Sequence, residues 1–367
     1  MAVLFVGLIV LALVLLQDHL YRRFWQEGLS LDIQFSAKEA FEGDSLYLQQ
    51  HLVNKKILPL PWLVSRFKVS KNLVFDENTR RGPDLQSQND AFSVMMYQSI
   101  SRKMHFVCGG RGFYRLRNVE MVAGNLMYTR RLIKQLDCNT ELTVFPKILD
   151  YYEELNLTYK ALDAAVLSHS LINPDPFEFK GIREYNPTDS LRDINFKASA
   201  VAQQLMVNIH APTAAKRLEI ILNLEYHKPY PNFELYEQAI RLAATVASRY
   251  INDDVKVGLF CNGSDTFSGD QIKVFGGNST SHLYAIYQTL AGINCMFKPA
   301  GISNYLEGLN DDGAVYLIIS SYHGDDFLQS LEGMTAHGLS YMVIVPTEEG
   351  MEINTAETDK IRLWKAL

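Results

Sequence analysis

The densest run of chemistry-bearing side chains is Ile182 to Ala200. It sets Arg183, Glu184, Asp189, Arg192, Asp193 and Lys197 around Tyr185 and Phe196. Opposite charges at this density can satisfy one another within a fixed loop. Two uses fit these residue types. Arginine and tyrosine anchors can form a recognition surface for a protein partner. The same pairs can form a salt-bridge brace between two domains. The residue types leave both open, with Arg183, Tyr185, Asp189, Arg192 and Lys197 as the candidates. Asn186-Pro187-Thr188-Asp189 reads as a turn, and the run after it as a helix capped by Asp189 or Ser190.

No catalytic motif stands beside this cluster. Gly276-Gly-Asn-Ser-Thr280 opens a predicted helix, and helix N-termini can hold phosphate, but the Gly-Lys-Ser/Thr of a P-loop is missing. His282, His323 and His337 have no spacing that pairs them on one helix face. There is no Gly-x-Ser-x-Gly elbow. Cys108, Cys138, Cys261 and Cys295 lack C-x-x-C spacing and read as free thiols of a reducing compartment. A net charge of −6 argues against a nucleic-acid binder, which carries a basic stripe. The expectation is a protein that is not an enzyme and has no small-molecule substrate. A hydrolase is the remaining enzymatic alternative.

The elements that would position the cluster can be read in turn. Twelve of the first sixteen residues are Leu, Ile, Val or Phe, with no charge among them. At the helix centre such residues favour insertion by about 0.3–0.6 kcal/mol each. Residues 1–21 are therefore expected to form a transmembrane anchor, with Tyr21, Phe24 and Trp25 at the interface. A cleaved signal peptide would need a basic residue before the apolar run, and none is present. Arg22 and Arg23 follow the run, so the positive-inside rule places the rest in the cytoplasm, beneath a single crossing of the cell membrane.

Residues 29–150 read as an antiparallel, Ig-like β-sandwich. Alternating segments at Leu31–Phe35, Leu46–Val53, Trp62–Val69, Phe92–Ile100, Lys103–Val107 and Tyr114–Val122 are separated by turn signals. Asn118 to Glu141 breaks the alternation and reads as a helical or loop insertion. Residues 151–180 form a polar connector. From 181 to 367 the pattern becomes α/β. Apolar runs at Leu218–Leu224, Val255–Cys261, Ala314–Ser320 and Tyr341–Val345 alternate with helices at Phe233–Tyr250 and Ser279–Ala291. That alternation predicts a doubly wound parallel sheet.

Arg183-x-Tyr-x-x-x-Asp-x-x-Arg-x-Ile-x-Phe-Lys-x-Ser-Ala resembles the signature of the family called domain of unknown function 58. Thr188 stands where that family usually has Gly, and Phe196 where it has Trp. Arg111-Gly-Phe-Tyr-Arg-Leu-Arg-Asn-Val-Glu120 and Val144-Phe-Pro146 are similar to two further stretches of it. The resemblance implies a membrane-anchored protein with a von Willebrand factor A-like C-terminal half. It also implies an association with MoxR-type AAA+ ATPases and no established enzymatic activity. Family members often carry a pair of membrane segments, of which one is visible here.

A von Willebrand A domain binds Mg²⁺ through D-x-S-x-S after its first strand. The matching residues here are Asn223, Glu225 and His227, so the resemblance implies a degenerate site and no metal cofactor. Glu225 with Asp265 or Asp325 is the remaining way to hold a hard cation through oxygen. The functional expectation is a membrane-anchored scaffold or adaptor working with a MoxR-type ATPase. A metal- or ligand-dependent binding module is the alternative.

Overall fold

The computed structural model describes residues 2–75, 80–81, 85–150, 159–160, 162–163, 179–187, 189–210, 217–226, 232–296, 298–310, 313–347 and 360–365. They divide into two units, Met1–Lys147 and Ile148–Leu367.

The first unit opens with helix α1, Ala2–Phe24. At 1.5 Å per residue its 23 residues rise about 35 Å, enough for a hydrocarbon core of about 30 Å. Leu4–Phe24 has a mean hydropathy of 2.0, long and apolar enough to cross a membrane by length and composition. Gly28, at φ +61°, lets the chain turn straight from the helix into β1, Leu29–Phe35.

Two sheets follow. One has the order β1, β3 (Ser45–Asn54), β8 (Ser99–Cys108), β5 (Leu73–Phe75). The other runs β2 (Glu39–Phe41), β10 (Arg131–Phe145), β9 (Gly112–Gly124), β4 (Leu60–Ser70), β7 (Leu85–Val94), β6 (Arg80–Arg81). The pairs are antiparallel except β2 with β10. The alternating strands bury Ile33, Leu48, Phe67, Phe106, Leu116 and Leu142 in one shared core, as expected of a sandwich.

Three local expectations are corrected. Asn118–Glu141 is not an insertion but most of the hairpin β9–β10. Ile133 is exposed there and Lys134 is half-buried, which inverts the usual alternation. Phe92–Ile100 is not one strand: β7 ends at Val94 and β8 begins at Ser99. The turn between them contains no Gly or Pro, and Tyr97 makes it with φ 53°. Tyr21 and Trp25 are not interfacial; they are 1% and 2% exposed, packed in a second core with Leu29, Leu52, Leu60 and Met121.

In the second unit, β11 (Phe179–Glu184) pairs antiparallel with β12 (Met206–His210). Between them lie a 3₁₀ turn, Leu191–Asp193, and helix α2, Phe196–Ala202. The main sheet has the order β15 (Gln271–Gly277), β14 (Lys256–Asp265), β13 (Arg217–Asn223), β17 (Val315–Ser320), β18 (Ser340–Thr347), β19 (Ile361–Lys365). The short β16 (Ile293–Asn294) also pairs with β14. Five strands run parallel, and β15 is an antiparallel edge. All six residues of β17 are buried, as a central parallel strand requires.

Helices α3 (Phe233–Asn252), α4 (Thr280–Gly292), α5 (Ser303–Glu307) and α6 (Asp325–Ala336) complete the unit. Ile221, Ile318 and Val343 face a core built with Ile302, Leu306, Phe327 and Leu331 of the α5 and α6 region. Of the expected connector, Tyr159 and Leu162 are helical and buried. Asp163 accepts hydrogen bonds from Arg249 Nη2 at 2.9 Å and Tyr250 Oη at 2.6 Å on α3. Most of the remainder of 151–180 lies outside the described residues.

Candidate functional site

The charged cluster is held by one bidentate pair. Arg183 projects from the end of β11 and donates from Nη1 and Nη2 to the two carboxylate oxygens of Asp189, at 2.5 and 2.6 Å. Asp189 Oδ2 also accepts from the Asn186 backbone N–H at 2.8 Å. The hydrogen bond from Arg183, first, and this N–H hold the Asp189 carboxyl below the usual carboxylate range. The turn closes through Asp189 N to Asn186 O at 2.8 Å. Thr188 lies outside the described residues.

The rest of the segment is tied to β12. Ser190 Oγ caps the 3₁₀ turn by accepting from Arg192 N at 3.3 Å. The longer helix starts later than expected and is capped by Asn195, whose Oδ1 accepts from Ala198 N at 2.9 Å. Asn195 Nδ2 donates to Asn208 Oδ1 at 2.7 Å, and Met206 N donates to Ser199 Oγ at 2.8 Å. Ile194 forms a β-bridge with Val207.

The candidates therefore separate. Arg183 and Asp189 are brought together and shape the loop. Tyr185 is half-buried and donates its backbone N–H to Leu205 O at 2.9 Å. Arg192 and Lys197 are exposed and are not joined to that pair. Leu191, Phe196 and Val201 of the same segment are 70%, 76% and 84% exposed, which residue spacing did not reveal.

A second position of interest is the carboxyl edge of the parallel sheet. The chain leaves β13 first toward β14 and later returns to β17. That makes the ends of β13 and β17 the switch point, where open α/β sheets bind ligands. Asn223 and Ser320 end those two strands. Asn223 Nδ2 donates to Ser320 Oγ at 3.0 Å, while its Oδ1 accepts from Asn262 Nδ2 at 2.7 Å and Glu225 N at 3.0 Å. Asn262 also donates to Ala300 O at 2.8 Å and accepts from Leu224 N at 2.8 Å. Asn262 was missed by the sequence reading because an isolated asparagine 39 residues from Asn223 carries no local signal.

Mg²⁺ does not fit this donor set. The cation needs carboxylate oxygens turned toward one point. Here the amide atoms of Asn223 are spent on neighbouring strands, and Glu225 Oε2 accepts from Ile302 N at 3.0 Å. Asp265 Oδ1 accepts from Phe267 N and Ser268 N, each at 2.8 Å, in its own turn. Among the described residues, no three His, Cys, Asp or Glu side chains are grouped to hold a metal. His227 lies outside them.

Beside the switch point, Tyr322 Oη donates to Asp326 Oδ1 at 2.8 Å. Burial first, then this bond and the nearby Asp326, Glu225 and Asp325 charges, push the Tyr322 hydroxyl up to about 12. The three candidate histidines are dispersed. A His282 ring nitrogen lies 2.7 Å from Val257 O, His323 Nδ1 lies 3.2 Å from Ser321 O, and His337 ends α6. Gly276 and Gly277 close β15, and Ser279 caps α4 by accepting from His282 N at 3.1 Å.

No model of a known protein family matches this chain, and no curated protein matches it. Among solved structures it is similar to a non-cellulosomal cohesin from Archaeoglobus fulgidus, with 9% identity and a TM-score of 0.22. That match covers 35% of this chain and 97% of the other. It is similar to the CARDB domain of a Pyrococcus furiosus protein at 10% identity and a TM-score of 0.21, over 32% and 94% of the two chains. A cohesin module from a Clostridium perfringens family 33 glycoside hydrolase matches at 7% identity and a TM-score of 0.21, over 30% and 97%. At these values the likenesses carry no argument about what this chain does.

Proposed function

We propose that this chain is a membrane-anchored adaptor, facing the cytoplasm, that captures a protein partner through the Glu184–Ala202 segment. The observation that carries the reading is the contrast within that segment. A segment fixed by the Arg183–Asp189 pair at its start and by Asn195 and Ser199 at α2 leaves Leu191, Phe196 and Val201 in water, with Arg192 and Lys197 also exposed. Exposed apolar side chains on one short segment that also exposes arginine and lysine are the raw material of a protein-binding surface.

The partner is a MoxR-type AAA+ ATPase. That part rests on the resemblance to the domain of unknown function 58 family. Arg183, Asp189, Ile194 and Ser199 of the resembling motif help fold the segment, beside Ser190 and Asn195 outside the motif, which favours the resemblance. A von Willebrand A-like reading of the second unit is supported by a six-strand order with an antiparallel edge, β15. Anchoring is supported by the apolar surface of α1, and cytoplasmic orientation by Arg22 and Arg23 at its end.

The test is co-purification of the tagged full chain with the ATPase from solubilised membranes. Phe196→Ser combined with Val201→Ser should lower the recovered ATPase about ten-fold or more, with Tm unchanged, because both side chains are already in solvent. Full recovery with the double variant would remove the surface from the reading. No recovery with the natural chain would remove the partner.

A further inference from the structure

Helix α1 has no tether. It ends at Phe24, β1 starts at Leu29, and Tyr21 and Trp25 are already inside the sandwich core. Tyr21 Oη donates to Pro59 O at 2.6 Å, and Lys55 N donates to Gly28 O at 2.7 Å. From Leu16 to Tyr21 the helix rises only about 8 Å. Whatever medium surrounds the apolar helix therefore ends within a turn or two of the loops at this end of the sandwich.

Three loops surround the joint: 55–59, 95–98 and 125–130. They expose Ile57, Met96, Tyr97, Met127 and Tyr128, and Trp62, exposed at the start of β4, packs its ring 5.6 Å from that of Tyr128. Hydrogen bonds fix them to one another and to the helix. Asn54 Nδ2 donates to Leu58 O at 3.0 Å and Met95 O at 2.9 Å. Tyr97 N donates to Lys56 O at 3.2 Å. Arg130 Nε lies 3.1 Å from Asp18 Oδ1 on α1. Tyr97 and Tyr128 both hold left-handed backbone, φ 53° and 52°, which costs a bulky residue about 1 kcal/mol or more. The fold thus accepts strain at two tyrosines that it leaves facing outward.

The opposite end of the same sandwich is different. Its turns are Glu42-Gly43-Asp44, Lys71-Asn72 and Gly109-Gly110-Arg111. Basic groups complete the apolar end, with Arg22, Arg23, Lys55, Arg130 and Arg131 exposed against two acids, Glu27 and Asp18, the latter paired with Arg22 and Arg130. Methionine, tyrosine and tryptophan with a basic rim fit one medium, the boundary between acyl chains and anionic headgroups.

We infer that this collar is a membrane-contacting surface, seated in the headgroup layer of an anionic bilayer around the base of α1. The inference rests on the anchoring of α1 and adds a second, broader contact to it. The sandwich is then held against the bilayer as well as joined to it.

The test uses the full chain with Cys138→Ser and Cys295→Ser, in vesicles of phosphatidylcholine and phosphatidylglycerol. Single cysteines at Leu11, Met96, Met127 and Asn72 carry an environment-sensitive dye, read against lipids with quenchers at headgroup or mid-chain depth. Leu11→Cys should be quenched by the mid-chain lipid. Met96→Cys and Met127→Cys should be quenched about two-fold or more by the headgroup lipid, and Asn72→Cys by neither. Quenching at Leu11 without quenching at Met96 and Met127 overturns the collar and leaves the anchor intact. No quenching at Leu11 overturns both. Shielding of Met96 and Met127 that persists in detergent and grows with protein concentration assigns the collar to a second copy and overturns the inference.

Discussion

The Lys56 ammonium is enclosed beside Lys134 and has no hydrogen-bond partner among the described residues. Burial first, then the Lys134 charge, lower its pKa to about 8, partly offset by Glu27. A lysine lowered in the folded state opposes folding while it is protonated. The opposition is full below about 8 and fades as pH rises toward the ordinary 10.5. Lys56→Met should therefore raise Tm by a few degrees at pH 7, and the gain should shrink between pH 8 and 10.5; a gain independent of pH would refute the cause. Asn223 acts in the opposite sense. Asn223→Ala takes the acceptor from one Asn262 Nδ2 hydrogen, whose other still reaches Ala300 O, and from the Glu225 N–H, at about 1–3 kcal/mol for each hydrogen left unpaired. Urea unfolding should show a loss of about 2 kcal/mol or more, and a loss under about 0.5 kcal/mol would mean that water replaces the amide.

Among the elements, the end of α1 is the part whose role differs most from its appearance. Trp25→Ala removes a nearly fully buried side chain and should cost the first unit about 3–5 kcal/mol, read as faster hydrogen exchange in β1 and β3. Unchanged exchange would show that the helix merely abuts the sandwich. The helix itself was legible as an unbroken apolar run. So were β13, β17 and β18, because central parallel strands need a continuous apolar stretch and little else does. The hairpin β9–β10 was hidden because Ile133 faces out and Lys134 in. The β7–β8 turn was hidden because Met95, Met96 and Tyr97 read as strand, and their exposure is a property of the loops around α1. Edge strand β15 alternates only over Gln271–Val274 and ends in Gly276-Gly277, so it left too brief a periodic signal. At the candidate site, the pairing of Arg183 with Asp189 follows from their proximity in the chain. The exposure of Phe196 and Val201 does not, because two apolar residues five apart on a short helix share no face that periodicity could assign to core or solvent.

For the whole molecule, the proposed membrane anchoring depends on a modest balance. The apolar residues of α1 supply about 4–7 kcal/mol toward insertion, and one central arginine removes about 2.5–3.5 kcal/mol. Leu8→Arg with Leu11→Arg should bring the sum near zero and release the chain into the alkaline carbonate supernatant; retention in the pellet would mean that another surface suffices to hold it. The short joint at Trp25–Gly28 has a mechanical consequence. A flexible linker would let the sandwich turn freely above its anchor, but a helix that ends inside the core transmits its angle. The apolar run of α1 before Asp18 rises only about 24 Å, less than the ~30 Å hydrocarbon core, so under the proposed anchoring the bilayer must thin around it. With so short a joint the sandwich is drawn toward that thinned bilayer, so under the proposed anchoring the length of the apolar run sets how close the folded domain sits to the membrane.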